Sequence, residues 1–282
     1  MGLPSGVARI GVCIGSIRAE AGWWLDAARR LDAAGYGGIW SWDHFMGRGD
    51  RSVPVVEAWT VLTAAALVTR QATLGTFVAN VMNRHPAVLA RMAATFQAVS
   101  GGRLVLGLGI GGHPAEHTAL GIPFPEASER VARLGEAVAV IRALWGGGPV
   151  TRPSPFYPLE NAYAEPPPDP VPRIVVGGET PAGARLAARI GDGWTAFGDV
   201  FEARLPVYLE ALAAAGRSRE DQLLLVGFEG QTIEETATVL GPWVEAPREN
   251  WERWHAAGAD GVILTARTEE DVRGLLEAAG RW

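Results

Sequence analysis

An ionisable pair, Asp43-His44, follows two tryptophans in the segment WSWDHF (residues 40–45). An imidazole titrates near neutral pH, so it can exchange a proton with a substrate, and an adjacent carboxylate can orient its ring. We therefore predict that Asp43 and His44 are catalytic, with His44 as the group that transfers the proton. The alternative is a histidine with a purely structural role.

The segment HPAEH (residues 113–117) matches H-x-x-E-H, a zinc-peptidase pattern in which a helix aims two imidazoles at one metal. Proline favours the first position of a helix, so Pro114 puts His113 before the helix and away from the face that His117 occupies. The downstream sequence offers no obvious third ligand. We therefore predict no metal site, with a metal-dependent hydrolase as a minor alternative.

Two glycine-rich turns follow apolar runs. GLGIGG (residues 107–112) fits G-x-G-x-x-G, but no long helix leading to an acidic strand end follows it, which argues against a dinucleotide fold. VVGGETPAGARLAAR (residues 175–189) predicts Thr180 as the N-cap of a helix that starts at Pro181. The free N–H groups of such a helix N-terminus suit a phosphate, although an ordinary capped turn is an equal alternative.

Apolar strand-like runs alternate with helical patterns along the chain, as in ARIGVCI, ATLGTFVAN, GRLVLGLG, PRIVVGG and QLLLVGF. Nearly continuous apolar strands are typical of a parallel sheet covered by helices. Counting gives eight strands and about eight helices, which predicts an α/β fold with a single (β/α)8 TIM barrel over residues 1–282. An open doubly wound sheet is the alternative, but the first turn lacks its glycine spacing.

Two long irregular segments interrupt this alternation, at residues 43–55 and at residues 146–172, which are rich in Pro and Gly. The carboxyl-terminal mouth of a TIM barrel carries the active site, because the loops that follow the strands meet there. We therefore expect insertion loops at that mouth, with Asp43 and His44 among them. Residues 146–172 should form an ordered excursion without helical or strand periodicity.

The composition excludes several classes of protein. A net charge of -6 offers no basic field to attract nucleic acid or an anionic membrane. No apolar run is long enough to span a bilayer, and the N-terminal segment lacks the order of a signal peptide, so we expect a cytoplasmic protein. The single cysteine, Cys13, lies in an apolar run and is expected to be packed and unreactive.

Five segments occur in an order that is typical of one enzyme family: WSWDHF, LGTFVANVMNRHPAVLARMAATFQAVSGGRLVLGLGIG, ALGIPFP, ERVARLGEAVAVIRALW and VVGGETPAGARLAARIGDGW. The chain resembles the bacterial luciferase-like oxidoreductases, and within them the branch that uses the deazaflavin coenzyme F420. The resemblance covers residue 8 to about residue 197 and is most specific between residues 75 and 109.

The resemblance implies a homodimeric TIM-barrel enzyme with a flavin-type cofactor in the barrel mouth. It implies a cis peptide bond at Phe77-Val78 behind the cofactor ring, and it places Asp43 and His44 beside that ring. The cofactor site that it implies consists of Asp43, His44, Thr76, Phe77, Val78, Gly109, Ile110, Gly111, Val176, Gly177, Gly178, Glu179 and Thr180.

From this resemblance we expect an F420-dependent oxidoreductase that transfers a hydride between the deazaflavin C5 and a small, fairly apolar organic substrate. Gly112 stands where the family's sugar-phosphate dehydrogenases have a glutamate, which argues against that substrate. The first alternative is an FMN-dependent luciferase-like monooxygenase. The second is a non-catalytic protein that binds a flavin or deazaflavin.

Overall fold

The computed structural model describes residues 9–282 and contains the predicted barrel. Within these residues the strands are β1 (Ile10–Ile14), β2 (Gly38–Ser41), β3 (Thr73–Thr76), β4 (Ala79–Asn80), β5 (Leu104–Gly109), β6 (Val150–Arg152), β7 (Leu159–Ala162), β8 (Arg173–Gly177), β9 (Gly193–Phe197), β10 (Leu223–Phe228) and β11 (Gly261–Ala266). The expectation about a leader segment concerns the N-terminal segment, of which residues 1–8 lie outside the described residues.

The helices of the same part of the chain are α1 (Ala21–Ala33), α2 (Ala58–Val68), α3 (Pro86–Ser100), α4 (Pro114–Leu120), α5 (Ala127–Trp145), α6 (Pro181–Ile190), α7 (Gly198–Ala214), α8 (Ile233–Glu245), α9 (Pro247–Ala256) and α10 (Glu269–Ala279). Two of them, α4 and α5, lie between β5 and the next barrel strand, and α8 and α9 together lie between β10 and β11. No helix in the described part of the chain is long and apolar enough to cross a membrane.

The barrel consists of eight parallel strands in the order β3-β2-β1-β11-β10-β9-β8-β5, and it closes where β3 pairs with β5. The short strand β4 continues beyond β3 and also pairs with β5. Because β1 pairs with β11, from Ile10 opposite Val262 onward, the two ends of the barrel sequence are adjacent in space. We propose on this basis that the chain is a single domain.

The core has two parts. The larger part lies between the strands and the surrounding helices, and every helix except α4 contributes buried apolar residues to it. The smaller part fills the barrel interior and consists of Cys13, Trp40, Trp42, Val175, Leu225 and Ile263. The Trp40 indole crosses the strands beside it, and a Cβ atom at Gly38 would lie 2.6 Å from its Nε1. Glycine at this position therefore leaves the space that the ring occupies.

The segment 146–172 lies between α5 and β8, which is the fifth barrel strand along the chain, and differs from its prediction in one respect. It contains a short antiparallel pair, β6 and β7, rather than being wholly irregular. Because it follows a helix, it starts at the end of the barrel opposite the mouth. From there it packs on the outside of α3 and α5, where Gln97 donates to the carbonyl of Pro170 and Arg152 pairs with Glu136. Residues 43–55 contribute Asp43, His44 and Arg48 to the lining of the mouth.

Candidate functional site

A cavity of about 860 Å³ opens at the carboxyl ends of the barrel strands. Its volume is in the range of small-molecule and cofactor pockets. Every predicted site residue except Thr76 lines it, namely Asp43, His44, Phe77, Val78, Gly109, Ile110, Gly111, Val176, Gly177, Gly178, Glu179 and Thr180. The strand ends of β2, β3, β5 and β8 thus converge on one space.

Thr76 does not reach this cavity. Its side chain is fully buried, and its hydroxyl donates to the carbonyl oxygen of Gly107 at 2.7 Å. This bond links β3 to β5 next to the barrel closure. The expected contact between Thr76 and a cofactor is therefore corrected to a structural role.

The Asp43 carboxylate is committed to Arg84, contrary to the prediction that it orients His44. The Asp43 side chain is buried, and Arg84 Nη1 lies 2.9 and 2.8 Å from its two oxygens. Its Oδ2 also accepts from the backbone N–H of Asn80 and from the Asn83 side chain. Arg84 in turn pairs with Glu57 at 2.5 Å. This network fixes the loop after β2 to the segment that leads into α3.

The carboxylate next to His44 belongs to Glu116, which sequence reasoning missed as a partner. Glu116 Oε2 lies 3.5 Å from Nδ1 of His44 and accepts from the backbone N–H groups of Phe45 and Met46 at 2.9 and 3.1 Å. Burial acts to raise the pKa of Glu116, but these contacts outweigh it, so the pKa lies below its ordinary value. Glu116 therefore stays ionised, orients the His44 ring and holds the loop.

The two imidazoles of the HPAEH segment have different surroundings. His113 is the N-cap of α4, with Pro114 at the first helical position as predicted, and its ring lies 5.0 Å from that of His44. His117 is buried, and its Nε2 lies 2.8 Å from the Asn80 amide nitrogen. Between Arg9 and the C-terminus, no group of three or more His, Cys, Asp or Glu side chains has a geometry that would hold a metal ion.

One wall of the cavity is built from backbone and small side chains. The peptide bond between Phe77 and Val78 is cis, as the resemblance implied. A Cβ atom at Gly109 would lie 2.6 Å from Val78 Cγ2, and one at Gly177 would lie 3.2 Å from the same atom. Glycine at these positions lets the ends of β5 and β8 approach Val78 closely and leaves a smooth surface.

The helix N-terminus predicted on this wall is present. Thr180 caps α6, with its hydroxyl accepting from Gly183 N at 3.0 Å and Pro181 at the first helical position. The N–H groups of Glu179 and Thr180 have no hydrogen-bond partner among the residues described. The Thr195 hydroxyl, also on the cavity wall, is buried without a partner in the same part of the chain. These groups are available to a ligand.

The opposite wall is charged, which the sequence did not indicate. Arg267, at the end of β11, stacks 4.5 Å from the Trp42 ring centre and pairs with Glu229 at 3.1 Å. Burial raises the pKa of Glu229, while Arg267 and Arg48 act to lower it. Arg18, whose backbone φ of 62° is uncommon outside glycine, also lines this wall.

Comparison with known families agrees with the fold. The family model for luciferase-like monooxygenases matches residues 19–232, which is most of the chain. The chain belongs to the luciferase-like monooxygenase family.

Two curated relatives carry more detailed names. An F420-dependent glucose-6-phosphate dehydrogenase of Kineococcus radiotolerans is 34% identical over 266 residues, covering 90% of this chain and 73% of that protein. One of Beutenbergia cavernae is 35% identical over 217 residues, covering 74% of this chain. The match spans only 61% of the length of the Beutenbergia protein.

A solved structure supports the architecture of this luciferase-like chain. An F420-dependent secondary alcohol dehydrogenase in complex with an F420-acetone adduct superimposes with a TM-score of 0.81 at 20% identity. The match covers 96% of this chain and 97% of the other. At this level of identity the likeness concerns the fold alone.

Proposed function

We propose that this protein is an F420-dependent oxidoreductase that transfers a hydride between the deazaflavin and a small organic substrate. The observation that carries the proposal is that His44, paired with Glu116, lines the same cavity as the glycine wall and the α6 N-terminus. The names of the curated relatives support the choice of coenzyme. Bound F420 would supply the carbon that accepts or donates the hydride.

The residues that line the cavity fit a coenzyme of this kind. The partnerless N–H groups of Glu179 and Thr180 suit the oxygens of a phosphate, and the buried Thr195 hydroxyl needs a hydrogen-bond partner. Gly109, Ile110, Gly111, Val176, Gly177 and Gly178, with Phe77 and Val78, offer a smooth wall for a flat ring. His44 would hold or release the proton at the substrate oxygen, while Glu116 keeps the imidazole oriented.

The charged wall changes the expected substrate. The wall opposite the glycine wall consists of Arg18, Arg48, Glu229 and Arg267. Desolvating such groups against an apolar molecule would be costly. We therefore propose a polar, hydrogen-bonding substrate in place of the fairly apolar one expected from the sequence.

A binding titration tests the choice of coenzyme. The purified protein is titrated with F420 and, separately, with FMN, and the heat or the fluorescence change is recorded. We expect F420 to bind at least about tenfold more tightly, a difference of about 1.4 kcal/mol. Tighter binding of FMN, with oxygen consumption when FMN is reduced, would instead favour an FMN-dependent monooxygenase.

Replacement of His44 distinguishes a catalytic oxidoreductase from a protein that only binds the coenzyme. His44→Ala should retain F420 binding and lower kcat by about 10²–10⁴-fold, because the proton-transfer group is lost. His85→Ala is the matched control, since His85 is the N-cap of α3 and does not line the cavity. Equal turnover by His44→Ala and the parent protein would contradict the catalytic role.

The assembly that we propose is a homodimer formed through α2 and α3. All residues of α2 except Thr60 and Thr63 are apolar, although the helix is at the surface. Leu67 is 76% exposed, and Val88 on α3 is 54% exposed. Such side chains favour association with a second copy. Light scattering should give twice the mass of the chain for the parent protein and less for Leu67→Glu.

A cytoplasmic location stays a prediction from the sequence.

A further inference from the structure

Two imidazoles from separate elements meet on the cavity wall. The ring centres of His44 and His113 lie 5.0 Å apart, with the ring planes at 72°. His44 stands on the loop after β2, and His113 stands between β5 and α4. Both line the cavity. A second proton-binding side chain is therefore within reach of a ligand that contacts His44.

The protein leaves three of the four ring nitrogens of this pair without a hydrogen-bond partner among the described residues. His44 Nδ1 faces Glu116, while His44 Nε2 and both nitrogens of His113 have no hydrogen-bond partner among the described residues. The other three histidines do have one: His85 at Ala87 N, His117 at Asn80 and His255 at the carbonyl of Ala259. A histidine that serves only structure normally satisfies a ring nitrogen in this way. His113 is the exception, because neither of its ring nitrogens has a partner among the described residues.

Burial, together with neighbouring cations, favours the neutral form of His113. Its pKa is lowered by burial first and then by Arg48 and His44 on the loop after β2. On α4 itself, Glu116 acts to raise the pKa and His117 to lower it. At neutral pH His113 therefore has an unprotonated nitrogen facing the cavity, which is the state of a proton acceptor.

We propose that His113 is a second acid–base residue of the site, exchanging a proton with the same substrate oxygen that His44 contacts. The proposal rests on the oxidoreductase function proposed above. When a substrate alcohol is oxidised, its O–H bond breaks and the proton moves to the imidazole pair, where the free His113 nitrogen can accept it as well as His44. The electron pair left on oxygen forms the C=O bond, and the hydride that leaves carbon would be accepted by the coenzyme of the proposed function. In reduction the proton returns to oxygen.

The first test needs neither coenzyme nor substrate. The ring C–H signals of the five histidines are followed by NMR while the pH is varied, and His113→Gln identifies the His113 signal. We expect His113 to titrate below its ordinary value of 6.5. In His44→Gln its midpoint should rise, because a positive neighbour is lost, whereas the control His85→Gln should leave it unchanged. The proposal is overturned if His113 titrates at its ordinary value, or if its titration midpoint does not change in His44→Gln.

The second test uses the coenzyme-loaded protein with a panel of alcohols that includes propan-2-ol. For the parent protein, kcat/KM for alcohol oxidation should fall as the pH drops through the His113 midpoint, because protonated His113 cannot accept a proton. In His113→Gln this acidic limb should disappear and the plateau should fall by about 10²-fold. An unchanged pH profile overturns the proposal. If F420 does not bind at all, the proposed function fails, while the NMR titration still decides for or against His113 as a proton acceptor.

Discussion

At the scale of single residues, the acidic side chains of the site have separate tasks. Asp43 is bound by Arg84, Asn80 and Asn83, so it holds the loop in place. Glu116 is the carboxylate that faces His44. The role expected for Asp43 from its position in the sequence is thus performed by a residue on another element.

Asp43→Asn should cost stability. The substitution removes the negative charge from a buried pair with Arg84 and leaves that cation with Glu57 alone. Breaking a buried pair from one side costs about 3 kcal/mol. Urea unfolding should show this loss, and Asp50→Asn, an exposed change in the same loop, should leave the midpoint nearly unchanged. A stable Asp43→Asn protein that loses only F420 affinity would instead indicate direct contact with the coenzyme.

Glu116 should make stability depend on pH. Its folded pKa is lower than its ordinary value of 4.5, so its contribution is present above that value and is lost as the pH falls through the lowered one. The parent protein should therefore lose stability below about pH 4.5 more steeply than Glu116→Gln. Unfolding midpoints measured between neutral and acidic pH test this, and parallel curves for the two proteins would contradict it.

Glu116→Ala is the harsher companion change. It also removes the acceptor of two backbone N–H groups, at Phe45 and Met46. Loss of a charged acceptor of this kind should cost about 3 kcal/mol at neutral pH. Glu116→Gln, which keeps an oxygen for those groups, should cost clearly less in the same unfolding experiment.

At the scale of elements, the strand ends and helix caps were readable from the sequence because their signals are local. The two residues Thr180-Pro181 are enough to predict the start of a helix, and in the structure α6 begins at Pro181. The partners of the site residues were not readable, since Arg84 is 41 positions from Asp43 and Glu116 is 71 positions from Phe45. No local pattern connects residues that only the barrel closure brings together.

The glycine wall makes a prediction about the strand ends of β3 and β5. Gly109→Ala would put a methyl group 2.6 Å from Val78, so one of the two strand ends must shift. Overpacking of this kind costs about 1–3 kcal/mol. We expect F420 affinity to fall by about tenfold, as measured by titration.

Gly112→Ala is the matched control for that change. It belongs to the same glycine-rich turn, but a Cβ atom there would meet nothing within 4 Å. Its F420 affinity should stay within about twofold of the parent value. Equal losses in the two variants would mean that Val78 is not the contact that matters.

At the scale of the whole molecule, the barrel was predictable because eight apolar runs separated by helical patterns leave few other architectures. The path of residues 146–172 was not predictable. A composition rich in Pro and Gly indicates an irregular segment but does not indicate which helices the segment packs against. The charged cavity wall escaped prediction for a similar reason. Its residues are far apart in the sequence, namely Arg18, Arg48, Glu229 and Arg267. Charged residues are usually exposed, so only the folded barrel shows that these four line one cavity.

Cys13 should report on the integrity of the barrel. It is fully buried in the barrel interior, and burial first and Glu229 second raise the pKa of its thiol. The native protein should therefore not react with Ellman's reagent at pH 8, whereas the unfolded protein should release one equivalent. Bound F420 should slow the reaction further in mild denaturant, because a ligand of the native state suppresses opening. Rapid labelling of the native protein would show that the interior is accessible.

The bridge made by Glu116 has a practical consequence for protein engineering. One carboxylate ties the loop after β2 to the short helix α4, so replacement of either segment alone removes this tie. A loop introduced alone from a relative keeps only its contacts with the segment before α3. A change of specificity in this protein is therefore best attempted by exchanging residues 43–55 and 113–120 together.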